Sequence, residues 1–145
     1  MTLLDQAKTF RKAYDREIAP AMTQVGFIKM KLLNLQVDLI REEFTELLDA
    51  VSEFKDHPRE LPYQVAILKE LCDLIFVCYQ LGATYNLDVD TAMDRIFESN
   101  MSKLSDDGKP IYRDDGKVMK GPNYKPPYLN DLVPEPPHIY DTSSK

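Results

Sequence analysis

The chain has 145 residues, of which 43% are apolar. That is the size of one domain with material for a core, which excludes wholesale disorder. Its formal charge of −6 excludes nonspecific binding along a nucleic-acid backbone, yet leaves room for a small anionic substrate, because a bound metal inverts the local field. No apolar run reaches the roughly 18 residues of a membrane span.

The first hundred residues read as helices. Apolar and aromatic residues at 3, 4, 7, 10, 14 and 18 follow a helical period, Thr2 is placed to cap the start, and Pro20 is the expected stop. MTLLDQAKTFRK has neither the basic start nor the apolar stretch of a signal peptide, so a cytoplasmic location is expected. After a connection containing Gly26, a second helix is expected to begin between 29 and 33 and run to about 55, with Val37, Ile40, Phe44, Leu47, Leu48, Val51 and Phe54 as one wide stripe.

KDHPREL breaks that helix, and Pro62 suits the first turn of a third one, which runs through LKELCDLIFVCYQLGAT. Its middle is apolar almost all round, so it is expected to be the central, most buried helix, with Cys72 and Cys78 as buried free thiols. Asn86 and Asp88 supply a turn and an N-cap. The fourth helix then turns Val89, Ala92, Met93, Ile96 and Phe97 inward and ends near Leu104.

Composition shifts at Ser105. Seven of the ten prolines lie at or after position 110, and no helix fits there. PIYRDDGKVM reads as two short strands around the turn signal Asp115-Gly116. GPNYKPPYL reads as an extended loop, and DLVPEPPHIYDTSSK as a tail. The whole is expected to be one domain, with a helical core at 1–104 and a hairpin and extended tail at 105–145.

Two acidic pairs carry the chemistry. In EEFTE, Glu43 and Glu46 sit at i and i+3, roughly 60° apart on a helix and one turn along, and they face one point in space. Glu42 points to another side, which makes it a supporting residue. Glu70 and Asp73 repeat the i, i+3 spacing on the next helix. A short link makes the two helices an antiparallel pair and brings both couples together. Asp73 stands among apolar neighbours, where a lone carboxylate is expensive unless it is protonated, hydrogen-bonded, paired or bound to metal. Hard oxygen donors without His or Cys point to Mg²⁺, or alternatively Mn²⁺. The competing reading is plain: an EExxE run is most often a solvated face, and Arg41 and Lys69 are available to neutralise these acids in ordinary ion pairs.

Downstream, Asn100 and Lys103 share a helix face. They suit a phosphate or a sugar edge, or Lys103 merely complements the helix end. Lys117, Lys120, Asn123, Tyr124 and Lys125 reverse the local charge. They cover an anionic ligand on one reading and form a solvated hairpin on the other.

EEFTE at 42–46 followed by ELCD at 70–73 resembles the EExxE…ExxD pattern of the MazG-like all-α nucleotide pyrophosphatases. SNMSK at 99–103 is similar to the fourth-helix motif of that family, and DGKPIYRDDGKVMKGPNYKPPYL to the C-terminal extension of its small members, phage-encoded ones included. The resemblance spans about residues 30 to 130. It implies an all-α fold on a four-helix core, and hydrolysis of a nucleoside triphosphate, usually a deoxynucleotide, to the monophosphate and pyrophosphate. By motif position, Glu43, Glu46, Glu70 and Asp73 are the implied ligands of two or three Mg²⁺ ions. Asn100 and Lys103 are the implied nucleotide contacts, with Lys120, Asn123 and Tyr124 beside them. A homodimer or homotetramer is implied, in the host cytoplasm if the chain is phage-encoded, with neither nucleic-acid nor membrane partners. A purine deoxynucleotide such as dGTP is the first substrate to test. The alternatives are a related pyrophosphatase acting on dUTP or a phosphoribosyl nucleotide, and a non-catalytic helical interaction protein.

Overall fold

The computed structural model of the chain describes residues 1–16 and 27–133. It contains four α-helices, α1 (Leu3–Ala13), α2 (Phe27–Asp56), α3 (Leu61–Thr84) and α4 (Val89–Met101), plus one 3₁₀ turn (Asn130–Leu132). There is no named strand among the described residues, and the all-α expectation holds. Two compact units divide the chain: Met1–Leu87, holding α1 to α3, and Asp88–Val133, holding α4 and the segment after it.

Local chemistry sets the helix ends in the first unit. Thr2 and Asp5 form a reciprocal capping box at the start of α1. The helix stops earlier than its apolar period suggests. Asp15 adopts φ 49°, and the Arg16 N–H donates back to the Arg11 carbonyl at 2.8 Å. A left-handed residue after the last turn closes a helix this way, and Asp is among the few non-glycine residues that tolerate it. Ile18, Pro20 and Gly26, on which the longer helix and its connection were expected, lie outside the described residues, as does the expected tail from 134 onward.

α2 and α3 form the most extensive helix pair of this unit. The link between them is held by the His57 N–H donating to Glu53 and Phe54 carbonyls, both at 3.1 Å, and by the His57 ring stacked 4.4 Å from Tyr63. Pro62 sits in the first turn of α3 as expected. α3 closes like α1, with Asn86 at φ 52° and Leu87 N–H donating to Gly82 O at 2.9 Å.

α1 lies against α3 through Leu4, Ala7 and Ala83, with Tyr79 alongside. A buried polar tie reinforces this contact: Gln80 Nε2 donates to Ala7 O at 3.3 Å, and Arg11 Nη1 donates to Gln80 Oε1 at 3.4 Å.

The exposure of α3 overturns one expectation. Leu61, Val65, Leu68, Leu71 and Ile75 are all exposed, Leu68 by 61%. Cys72 and Cys78 are exposed as well. The helix carries apolar residues on more sides than α1 and α2 cover, and periodicity reports where apolar surface lies, not what meets it. The same holds for Phe44 and Leu48 on α2. The face of α2 that turns inward carries buried Gln36 and Ala50, with Leu32, Leu39, Glu43, Leu47 and Phe54 half-buried in the same register.

In the second unit, Asp88 caps α4 by accepting from the Thr91 N–H at 3.1 Å. Met93 and Phe97, expected to face inward, are exposed; the buried position is Ser99. Ser99 Oγ donates to Lys125 O at 2.8 Å, and the Lys125 N–H donates to Ser102 Oγ at 2.9 Å. Arg95 grips Asp131 with two hydrogen bonds of 2.5 and 2.8 Å and also donates to Tyr128 O. The segment after α4 therefore returns along it through polar contacts to backbone. The expected hairpin is reduced to one antiparallel bridge, Tyr112 to Val118, around Gly116 at φ 82°. The Asp115 side chain accepts from Arg113 at 2.9 Å and from the Lys117 N–H at 3.1 Å, which favours a tight turn over paired strands.

Candidate metal centre

Three carboxylates from two helices converge. One oxygen from each of Glu43, Glu46 and Glu70 lies within 4.8 Å of the others. The i, i+3 spacing on α2 and the fold-back of α3 produce this meeting, which holds three of the four carboxylates expected to converge. Glu70 is well enclosed, its side chain 14% exposed; Glu43 is half-buried and Glu46 exposed.

Asp73 stands at the edge of this group. Its side chain is 45% exposed, because the apolar residues around it in sequence flank it without covering it. The burial expected for it is therefore not found, while a partner, one of the alternatives expected, is present. Asp73 accepts from Lys69 Nζ at 2.9 Å, and the same ammonium lies 3.0 Å from both oxygens of Glu70. Of the two candidate neutralisers, Lys69 is the one engaged; Arg41 turns away to Asp38 at 3.2 Å. Asp73 and Cys72 also line a cavity of about 420 Å³ with Leu3 and Gln6.

The electrostatics match crowded acids. Partial burial pushes the Glu43 carboxyl above its ordinary value, and the charges of Glu46 and Asp73 push it further, against a smaller opposing effect of Lys69. Lys69 moves up in turn, first through its hydrogen bond to Asp73 and then through Glu70. An ammonium is thus already drawn to the place where positive charge is needed. Its side chain is 61% exposed and free to swing aside, so the pair is a weak obstacle to a stronger cation. Oxygen-only donors at this spacing fit a hard divalent ion. Glu42 is exposed and adds only a minor push on Glu43.

The second unit holds the other expected contacts. Lys103 Nζ donates to Asn100 Oδ1 at 2.6 Å. Lys120 lies 4.3 Å above the Tyr124 ring, and Asn123 donates to Asp106 at 2.5 Å. Gly121 joins the two stretches: its N–H donates to Lys103 O at 2.9 Å, and a Cβ there would stand 2.6 Å from that oxygen and 2.7 Å from Leu104 O.

Gln36 belongs to no motif that marks it in the sequence. It lies seven residues before Glu43, two full turns, and so shares its helix face. An amide in register with a candidate ligand on an inward face was the available signal.

A family model described as phosphoribosyl-ATP pyrophosphohydrolase matches residues 10–100, which include all three converging glutamates and Asp73. No curated protein matches the chain.

Proposed function

Because the chain belongs to the phosphoribosyl-ATP pyrophosphohydrolase family, within the MazG-like all-α superfamily, and is a hydrolase of the nucleotide pyrophosphate bond, we propose that it is a Mg²⁺-dependent nucleoside triphosphate pyrophosphohydrolase. The observation that carries this reading is the convergence of Glu43, Glu46 and Glu70 within 4.8 Å. With Asp73 beside them, these residues would hold the divalent ions on which the family generally depends. Such ions neutralise the phosphate chain and acidify a water when bound. The chain's own part is to position and to accept: the glutamates fix the cluster against α2 and α3, and one of them takes the proton of the attacking water. The water oxygen bonds to the α-phosphorus, the α–β bridging bond breaks, and pyrophosphate leaves with the electron pair.

The extension that follows the matched residues, DGK…GPNY, resembles that of small phage-type MazG-like proteins and supports a deoxynucleotide, with a purine such as dGTP first. The description of the matched family favours a second reading, phosphoribosyl-ATP, which carries the same kind of anhydride. Asn100 and Lys103 are proposed as nucleotide contacts on the SNMSK motif, with Lys120, Asn123 and Tyr124 as further ones. The exposed row Leu61, Val65, Leu68, Leu71 and Ile75 supports a homodimer or homotetramer. A cytoplasmic location belongs to the same reading; no helix among the described residues is long and apolar enough to cross a membrane.

The test is pyrophosphate release from each dNTP and NTP and from phosphoribosyl-ATP, with Mg²⁺ and with EDTA. Release from at least one, abolished by EDTA, is expected. Inactivity across the whole panel would overturn the proposal. Sedimentation of the purified chain tests the assembly.

A further inference from the structure

Within the first unit, α1, α2 and α3 line an open cavity of about 430 Å³. Phe10, Gln36, Leu39, Glu43, Phe76 and Gln80 are among its lining residues. Glu43 lines this cavity and also belongs to the carboxylate cluster, so the two adjoin. Phe10 and Phe76 meet edge to face, with centroids 5.4 Å apart, and make an aromatic wall.

The polar groups of this cavity differ in what they have left to offer. Gln80 is occupied at both ends, holding Ala7 O and receiving Arg11. Gln36 is 3% exposed, and its Oε1 is buried with no hydrogen-bond partner among the described residues. A buried amide oxygen left unpaired is costly, and native structures rarely carry one without a role. The Gln36 side chain lines the cavity beside Phe10, Leu39 and Phe76, with Arg16 and Glu43 as its charged lining groups, and the unpaired oxygen asks for an N–H donor.

We propose that this cavity receives the nucleobase of the substrate and that Gln36 reads the base edge through its carboxamide. The inference rests on the nucleotide reading above and names its specificity residue. Planar rings stack on aromatic walls whatever their sequence identity, so Phe10 and Phe76 supply affinity without choice. A carboxamide oxygen distinguishes bases by the N–H groups they present. The spacing agrees: two helical turns separate Gln36 from Glu43, roughly 10 Å of rise, which is the scale of a base at one end and phosphates at the other.

The experiment is equilibrium titration of the full chain with the eight common ribo- and deoxyribonucleoside 5′-monophosphates, in EDTA and in Mg²⁺. Wild type, Gln36→Leu and Gln36→Glu are compared, with thermal melts as a folding control. Wild type is expected to bind at least one monophosphate with a clear ranking of bases. Gln36→Leu is expected to weaken the best of them about tenfold, and Gln36→Glu, which removes the amide donor and adds charge, to reorder the ranking. No binding by wild type, unchanged affinities, or uniform weakening with an unchanged ranking would each overturn the proposal. A chain that binds and ranks monophosphates in this way but releases no pyrophosphate sinks the catalytic reading alone.

Discussion

Lys69 Nζ lies 2.9 Å from Asp73 Oδ2, one turn further along the same helix. This ammonium competes with any metal for the acids of α3. Lys69→Met is therefore expected to tighten Mg²⁺ binding to the free protein, by up to about fivefold, the range of an exposed pair. Calorimetric titration of Mg²⁺ measures it. Weaker binding in the variant would show that Lys69 supports the site instead.

Glu43 gives a pH dependence. Its folded pKa is raised, so the folded chain holds that proton more tightly than the unfolded one does. The associated stability is fully present below the unfolded value and is lost as pH rises through the folded value. Metal-free Glu43→Gln should accordingly melt higher than wild type at neutral pH and lose this advantage in acid, while failing in turnover. Melts in EDTA at a series of pH values check the sign; a variant less stable at neutral pH contradicts it.

Glu46 separates function from folding. It is exposed, so Glu46→Gln should leave stability within about 0.5 kcal/mol, yet reduce Mg²⁺-dependent turnover by about a hundredfold or more. Asp73→Asn should behave similarly, with the added loss of the Lys69 pair. Full activity in both variants would move the metal away from this cluster.

Gly121 is a steric prediction in the second unit. A Cβ at this position meets two backbone oxygens, Lys103 O and Leu104 O, neither of which moves as a side chain would. Gly121→Ala is expected to cost about 1–3 kcal/mol and to speed hydrogen exchange at 121–125. Unchanged exchange would mean that the backbone shifts at little cost.

Much of this architecture was legible because it is local. Thr2, Pro62 and Asp88 fix helix starts through interactions within a few residues, and the i, i+3 acids need only helical spacing and a fold-back to meet. What the sequence withheld depends on coverage. The apolar neighbours of Asp73 suggested burial, yet Leu71 and Ile75 stand exposed beside it. Asp15 ended α1 through a left-handed backbone that no periodicity announces. Gln36 is one polar residue in NLQVDLI, and its burial follows only from its helix face.

The exposed thiols have a practical consequence. Cys72 adjoins Asp73 and shares its cavity, whereas Cys78 lies away from that cavity, and partial desolvation pushes its thiol up although the residue is exposed. The unmodified chain therefore carries its own chemical footprint probe. Alkylation at Cys72 reads occupancy beside the acids, and alkylation at Cys78 on the same helix serves as the internal reference, with no label engineered in.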